Sequence, residues 1–395
     1  MVLLLAIIYL AFISLGLPDS LLGSAWPSMF EGLGVSIDRA GIISMIMSGS
    51  TICSSFMSVR LIRRFGTCVV MLVSVTMTAI ALLGFSFAHH FILLCILAIP
   101  LGFGGGSVDA ALNNFVAVHY QAKHMSWLHC FWGVGASLGP IVMSFCLVNL
   151  HSWNAGYRVV SMIQFSLVAI LLMSIPLWKK VQSQENKSEK TDQQVLTIQE
   201  LIRLPGAMQA LMTFFAYCAI EATVGLWGST YLVTIRGIDA VTAARWISFY
   251  FFGITLGRFL SGFLAMKLHH KQMVQLGLLL IGVGIAVLFL PVRGAFILAG
   301  LFLIGLGLAP IFPSLIHESP INFGIQYSQS MIGAQIGFAN LGVTFMPPLF
   351  GLLGAKMSYG LLPVFLGFFL LFMVFMVMQL YQKTTRAVKI NKMNT

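Results

Sequence analysis

The sequence predicts an all-α membrane protein: twelve transmembrane helices arranged as two pseudo-symmetric six-helix bundles. Composition, run length and an internal repeat carry that prediction. Of 395 residues, 58% are hydrophobic and only 8% are charged, where a soluble domain carries about 25% charged residues. Mean hydropathy is +0.95. A soluble fold needs a polar skin that this chain cannot supply. The apolar residues come in long runs, and about 20 such residues are needed to cross ~30 Å of hydrocarbon. A soluble enzyme, a disulfide scaffold and a disordered chain are thereby excluded.

Apolar runs bounded by charges, His, Gly or Pro fall at 2–26, 40–59, 67–88, 91–118, 125–149 and 156–178. After a polar stretch they resume at 207–235, 241–266, 273–292, 295–316, 328–350 and 358–381. The expected organisation is an N-terminal bundle over 1–178, a linker over 179–206, a C-terminal bundle over 207–382 and a tail over 383–395. The first run does not read as a cleavable signal, because it lacks a basic start and a small-residue cleavage site and carries on past Pro18-Asp19 to Trp26. The linker is the only extended polar stretch. It ends in Thr197-Ile-Gln-Glu200, a capping-box pattern, followed by Leu201-Ile202-Arg203-Leu204 and Pro205. That pattern predicts a short amphipathic helix on the membrane surface.

The net charge of +11 reads as topology rather than as a nucleic-acid surface, since no soluble segment carries a basic stripe. With both termini cytoplasmic, the inside loops and ends hold 15 Lys and Arg, among them Arg60, Arg63, Arg64, Lys123, Lys179, Lys180, Arg203, Lys267 and Lys271. The outside loops hold six: Arg39, Arg158, Arg236, Arg245, Arg293 and Lys356. The positive-inside rule therefore predicts a multi-pass protein of the plasma or inner membrane with both termini in the cytoplasm. The six cysteines all lie in apolar runs without a C-x-x-C pair or a His at ligand spacing; they read as small hydrophobes, and no metal or cofactor is expected.

The halves match at a nearly constant offset. Asp19 and Gly23 in span 1 correspond to Glu221 and Gly225 in span 7, Gly102 in span 4 to Gly305 in span 10, and Gly135 and Pro140 in span 5 to Gly342 and Pro347 in span 11. Two parallel repeats related by an axis along the membrane normal can rock about a site at their interface, which is alternating access.

Four ionisable residues lie well inside spans: Asp19, Asp109, Glu221 and Arg258. Each charge at a helix centre costs about 2.5–3.5 kcal/mol even on the lenient insertion scale. They must face a wet cavity, pair with one another or be protonated. For Arg258 a structural Arg–carboxylate lock is as good a reading as a functional one; for Asp19 and Asp109 function is the better reading. Asp109 sits ten residues from His119, about 15 Å deep by helical rise, in Gly102-Phe-Gly-Gly-Gly-Ser-Val-Asp109-Ala-Ala-Leu-Asn113-Asn114. Asn113 stacks one turn on, along the same face, and the glycines allow a close neighbour. Asp19 follows Pro18, which lacks a backbone donor and frees the carbonyl of Ser14. A kinked helix with an acid at the kink exposes polar backbone to a cavity. On span 5, His129, Trp132, Gly133, Ala136 and Pro140 share a face. His129 can bind substrate, relay protons or simply satisfy a neighbouring helix, and Trp132 can stack on a sugar ring or merely pack. On span 11, Gln335 and Asn340 supply neutral hydrogen-bonding groups opposite. His89, His90, His151, His269 and His270 fall in loops and read as solvated.

The 6+6 layout, the central linker and the basic cluster between spans 2 and 3 resemble the major facilitator superfamily over essentially the whole chain. That family's loop motif, Gly-x-Leu-Ala-Asp-Arg-x-Gly, is degenerate here as Val59-Arg60-Leu61-Ile62-Arg63-Arg64-Phe65-Gly66, without the first Gly or the Asp. The second copy, Gly262-Phe-Leu264-Ala265-Met266-Lys267, keeps Gly-x-Leu-Ala. The resemblance implies a cytoplasmic gate at Arg60, Arg63, Arg64, Gly66 and Lys267. An acid midway along span 1 with another in a Gly-rich span 4 resembles the fucose-permease branch of sugar–proton symporters. That resemblance implies Asp109 as the span 4 group handling proton and sugar, with Asp19 as its span 1 partner. The family's Glu is an Asp here, shorter by one methylene, so the sugar specificity does not carry over.

The expected function is proton-coupled uptake of a small polar solute, a sugar or polyol, by a monomer in the bilayer. The expected site comprises Asp19, Asp109, Asn113, His129, Trp132, Gln335 and Asn340, with proton coupling at Asp109, Asp19 and Glu221. The alternative is proton-driven efflux of drugs or metabolites, suggested by 32 Phe and 22 Met, which suit a greasy, adaptable pocket. An enzyme lacks support, for there is no nucleophile–His–acid set, no metal-ligand spacing and no soluble catalytic domain; a sensor lacks an extramembrane module. The topology is tested with Ser188→Cys. A membrane-impermeant thiol reagent should label it only once the membrane is opened, and labelling of intact cells would overturn the orientation.

Overall fold

The computed structural model describes residues 2–120, 122–182, 198–291 and 294–393. Twelve helical spans among them are long and apolar enough to cross a membrane. Helices Val2–Asp19 and Leu21–Met29 make span 1, and Ala40–Phe65, Thr67–Phe85, Phe91–His119, Ala122–Asn149 and Trp153–Gln182 make spans 2 to 6. Ala207–Thr234, Ala240–Leu264 and His270–Phe289 are spans 7 to 9; Ala295–Leu308 with Ile311–Phe323 is span 10; Ile325–Lys356 and Leu362–Met393 are spans 11 and 12. In the linker, residues 183–197 lie outside the described residues, and helix Ile198–Arg203 follows with Leu201 buried and Ile202 exposed.

Two differences from the sequence reading concern where helices stop. Several run well past their apolar stretch, because a helix supplies its own backbone hydrogen bonds whether its surroundings are lipid or water. The last one continues through Met393, so residues 383–393 of the expected tail extend span 12. Conversely, span 10 is broken between Leu308 and Ile311 at Ala309-Pro310, as span 1 is between Asp19 and Leu21 at the kink expected after Pro18. Proline lacks the N–H that the ladder needs and crowds the preceding turn.

The repeat is visible as equivalent packing. A Cβ on Gly102 would lie 2.1 Å from the Met47 carbonyl oxygen of span 2, and one on Gly305 would lie 2.1 Å from the Tyr250 carbonyl oxygen of span 8. Gly135 is set against the Ile13 carbonyl of span 1, and Gly342 against the Phe215 carbonyl of span 7. Spans 4 and 2 thus meet as spans 10 and 8 do, and spans 5 and 1 as spans 11 and 7 do. Gly23 and Gly225, paired by the offset, face each other across the interface, with 2.1 Å between a Cβ on Gly23 and the Gly225 carbonyl oxygen.

The halves touch along spans 5 and 8, from Ser144 and Arg245 to His129 and Arg258, and through further contacts toward the end of the molecule opposite its termini. Span 1 shows this best: Val2–Asp19 packs chiefly on spans 5 and 6 of its own bundle, whereas Leu21–Met29, past the break, crosses to spans 7 and 8. Gly41 at the start of span 2 abuts Pro348 of span 11, and Arg245 Nε donates to Ser144 Oγ of span 5 at 3.0 Å. The apolar core follows the same division. One cluster joins the C-terminal bundle to the far part of the N-terminal bundle through Trp26, Met29, Phe85, Tyr157 and Trp227. A separate cluster, with Ile8, Phe12, Phe115, Leu171 and Trp178, fills the terminal part of the N-terminal bundle alone.

The packing yields a test. Gly305→Ala gains about 1 kcal/mol of helix propensity, but its methyl collides with the Tyr250 backbone, and overpacking costs about 1–3 kcal/mol or more. A lower melting temperature in detergent is expected. Gly262→Ala, where nothing lies within 4 Å, should match or exceed the parent. Equal stability of the two variants would contradict the close approach.

Candidate functional site

A cavity of about 420 Å³ lies between the halves, within the range usual for small-molecule sites. Its walls include Asp19, Asp109, Glu221, Arg258, His129, Trp132 and Asn340, together with Ser14, Thr51, Thr78 and Gln164. Phe12, Leu15, Val75, Val108, Phe251 and Phe312 supply much of the apolar remainder. A larger crevice of about 650 Å³ on the outer flank between spans 9 and 12 takes its walls from one bundle only.

The sequence places each acid differently. Asp19 ends the first helix of span 1 at the Pro18 break and is exposed to the cavity. Its Oδ2 accepts a hydrogen bond from Trp132 Nε1 at 2.8 Å. Asp109 reaches the cavity because the glycines around it let span 4 lie close on two neighbours: Gly106 against Thr51 of span 2, Gly104 against Ser74 and Thr78 of span 3. Asn113 Nδ2 donates to Asp109 Oδ1 at 2.9 Å and to its carbonyl oxygen at the same distance. Thr51 Oγ1 ties span 2 to span 4 by donating to the Gly102 carbonyl at 3.0 Å.

From the second half, Arg258 meets Glu221 at 3.5 Å, with 14% and 17% of the two side chains exposed. The Arg258 guanidinium also donates to the His129 carbonyl at 3.4 Å and lies 5.0 Å over the Trp132 ring. Asp19, Trp132, Arg258 and Glu221 therefore form one contact chain running from span 1 through spans 5 and 8 to span 7. Two members come from each half. Cation–π contact of this kind is worth about 0.5–2 kcal/mol, and it occupies one face of Trp132.

Not every expected residue arrives there. Asn113 does not line the cavity; it backs Asp109. Gln335 is buried on the far side of span 11, its Oε1 accepting from Ser319 Oγ at 2.9 Å, and does not line the cavity either. The reason is helical phase: Ile336, Ala339, Asn340 and Val343 face inward, and Gln335 falls behind that stripe. His129 lines the cavity edge-on to Phe12, ring centres 6.0 Å apart. Gln164 and Ser14 were missed, and for Gln164 a signal existed: the carbonyl freed by Pro18 needs a donor, and Gln164 Nε2 supplies it at 2.6 Å. His270, expected to be solvated, stacks on His317 with ring centres 5.3 Å apart and planes 9° apart. At the expected gate, Gly66 has φ +80° and separates spans 2 and 3. Arg60, Arg64 and Lys267 are exposed, Arg64 lies over Phe65, and the Arg63 side chain lies outside the described residues.

Two similar six-span bundles with a cavity lined from both halves define the class of polytopic two-bundle membrane proteins. The chain belongs to the Major Facilitator Superfamily, whose pattern matches residues 8–317. It is 20% identical over 280 residues to the glucose/mannose transporter GlcP of Bacillus subtilis, covering 67% of this chain and 66% of that protein. It is 22% identical over 286 residues to Bypass of stop codon protein 6 of Saccharomyces cerevisiae, covering 66% of this chain and 56% of that protein. The chain thus spans somewhat under two thirds of the curated relatives it matches. Among solved structures, a bacterial homolog of the human lysosomal transporter Spinster, inward-facing and occupied, superposes with a TM-score of 0.72 at 13% identity, covering 97% of this chain and 96% of that one. The nucleoside transporter NupG gives 0.74 at 13% identity, covering 95% and 98%. Those two likenesses concern the fold.

Arg258 provides the test of the contact chain. Removing one partner of a buried pair strands the other and typically costs about 3–5 kcal/mol. Arg258→Met should therefore lower the melting temperature markedly, and Arg258→Met/Glu221→Met should recover much of the loss. A double variant no more stable than the single would show that the pair is not the source.

Proposed function

We propose that this chain couples H⁺ entry to the uptake of a small polar solute, a sugar or polyol, in the cell membrane. The observation that carries the reading is the convergence of Asp19, Asp109 and Glu221, from both halves, on one cavity at their contact. A neutral carboxyl donates a hydrogen bond to a solute hydroxyl, and a carboxylate accepts one, so proton and solute binding are linked at the same atoms. Asp109 serves as coupling acid, held in place by Asn113. Asp19 reports solute and proton to the second half through Trp132 and Arg258. Glu221 already has a counter-charge in Arg258 and stabilises the contact between halves, with proton exchange as its reserve role. His129, Trp132 and Asn340 contribute to solute binding.

The basic loops put the termini in the cytoplasm, so the contacts through Gly23, Gly225, Gly41 and Pro348 face outside. Each proton entering adds about 2.3 kcal/mol per 100 mV of membrane potential to solute accumulation. The likeness to a glucose/mannose transporter supports a hydroxylated solute. The carrier acts as a monomer in the bilayer, with H⁺ as coupling ion and no cofactor. The second reading, proton-driven efflux of drugs or metabolites, draws on the apolar part of the wall, notably Phe12, Phe251 and Phe312.

Asp109→Asn in proteoliposomes decides the coupling role. Uphill accumulation of a hexose under a pH gradient should fall to background, while counterflow exchange persists. Unchanged accumulation would remove Asp109 as proton carrier and turn attention to Glu221; movement of lipophilic cations outward with no hexose uptake would favour efflux.

A further inference from the structure

Gln164 on span 6 is 2% exposed, lines the cavity and spends its amide nitrogen on the Ser14 carbonyl at 2.6 Å. That carbonyl is the one Pro18 leaves without a helical donor. The contact fixes the amide: rotated by half a turn, it would set oxygen against oxygen. Gln164 Oε1 is then an acceptor and nothing else, and it meets no protein donor among the described residues. The Ser14 hydroxyl, on the residue whose carbonyl holds the amide, is 4% exposed, lines the same cavity and is likewise unpartnered. Buried polar atoms are nearly always satisfied in folded proteins. Two adjacent exceptions in the wall that also carries Asp19 and Asp109 point to a ligand.

We propose that Gln164 and Ser14 form a hydroxyl-selective subsite of the transport cavity, in which one solute O–H donates to Gln164 Oε1 while its oxygen receives the Ser14 hydroxyl proton. A hydroxyl is the group that serves both, since it has one donor and two acceptor lone pairs. A fluorine or ether oxygen accepts but leaves Gln164 unmet, and a methylene meets neither. Sites built to bond a hydroxyl reject the analogue lacking it far more strongly than apolar pockets reject an extra one. The subsite rests on the reading of the solute as a sugar or polyol and names the residues that would select it.

The test uses the full-length protein in proteoliposomes, with D-glucose and D-mannose and their monodeoxy and monodeoxyfluoro derivatives as competing probes. In the wild type, one ring position should lose binding by about tenfold or more on replacement by either H or F. In Gln164→Met that penalty should shrink to about twofold or less, with penalties at other positions kept. Because Gln164→Met also removes the brace at the Pro18 break, Ser14→Ala is the companion: it keeps the carbonyl and the brace, and should weaken selection at the same ring position. If Gln164→Met does not fold, Ser14→Ala alone decides. A wild-type pattern in either folded variant, or a wild type indifferent to fluorine at every position, overturns the subsite and leaves sugar transport standing. A wild type that binds neither hexose overturns the sugar reading, and the subsite with it.

Discussion

Everything in this protein follows from the penalty on charge in hydrocarbon. A chain that is 58% hydrophobic can place its backbone in lipid as helices, but Asp19, Asp109, Glu221 and Arg258 have no tolerable position on the lipid face. The fold gathers all four at one cavity where the two bundles meet. Arg258 and Glu221 compensate each other at 3.5 Å; Asp19 is held by an indole N–H and Asp109 by an amide. The residues least compatible with a membrane thereby become the lining of a cavity drawn from both halves.

That gathering needs helices that approach closely, and small residues provide it. In a bilayer no hydrophobic drive pushes helices together, so close van der Waals contact must do so. The equivalent contacts of Gly102 and Gly305, and of Gly135 and Gly342, show the same solution used twice by two halves of one architecture. At the interface itself Gly23 lets span 1 come against the Gly225 carbonyl of span 7. Proline breaks at Pro18 and Pro310 complete the design by interrupting spans 1 and 10. At Pro18 the freed carbonyl is taken up by Gln164 rather than left to water.

The site is also where sequence reasoning was least even. Asp19, Asp109, Glu221 and Arg258 were legible because a charge in an apolar run is conspicuous whatever its neighbours are. Gln335 was placed on the cavity because the repeat matches it to Leu128, one position from His129, and the helical phase turned it toward Ser319 instead. Gln164, equally polar and equally deep, was overlooked because a lone amide in a span raises no electrostatic alarm. The freed Ser14 carbonyl was foreseen, but the donor that answers it lies 150 residues away.

By itself the sequence determined the class: hydropathy dictates helices in a membrane, the run count dictates twelve, and the offset between acids and glycines dictates two like halves. Those properties are local or periodic, and each residue carries them regardless of what it touches. Tertiary structure alone decided which polar groups converge and which spans of the two halves meet. It joined Trp132 to Asp19 and Arg258, turned Gln335 away, brought Gln164 to Ser14 and split the apolar core in two. Those outcomes depend on the rotation of each helix about its axis and on contacts between distant spans, where a shift of one residue moves a side chain by about 100°. No hydropathy profile records that angle.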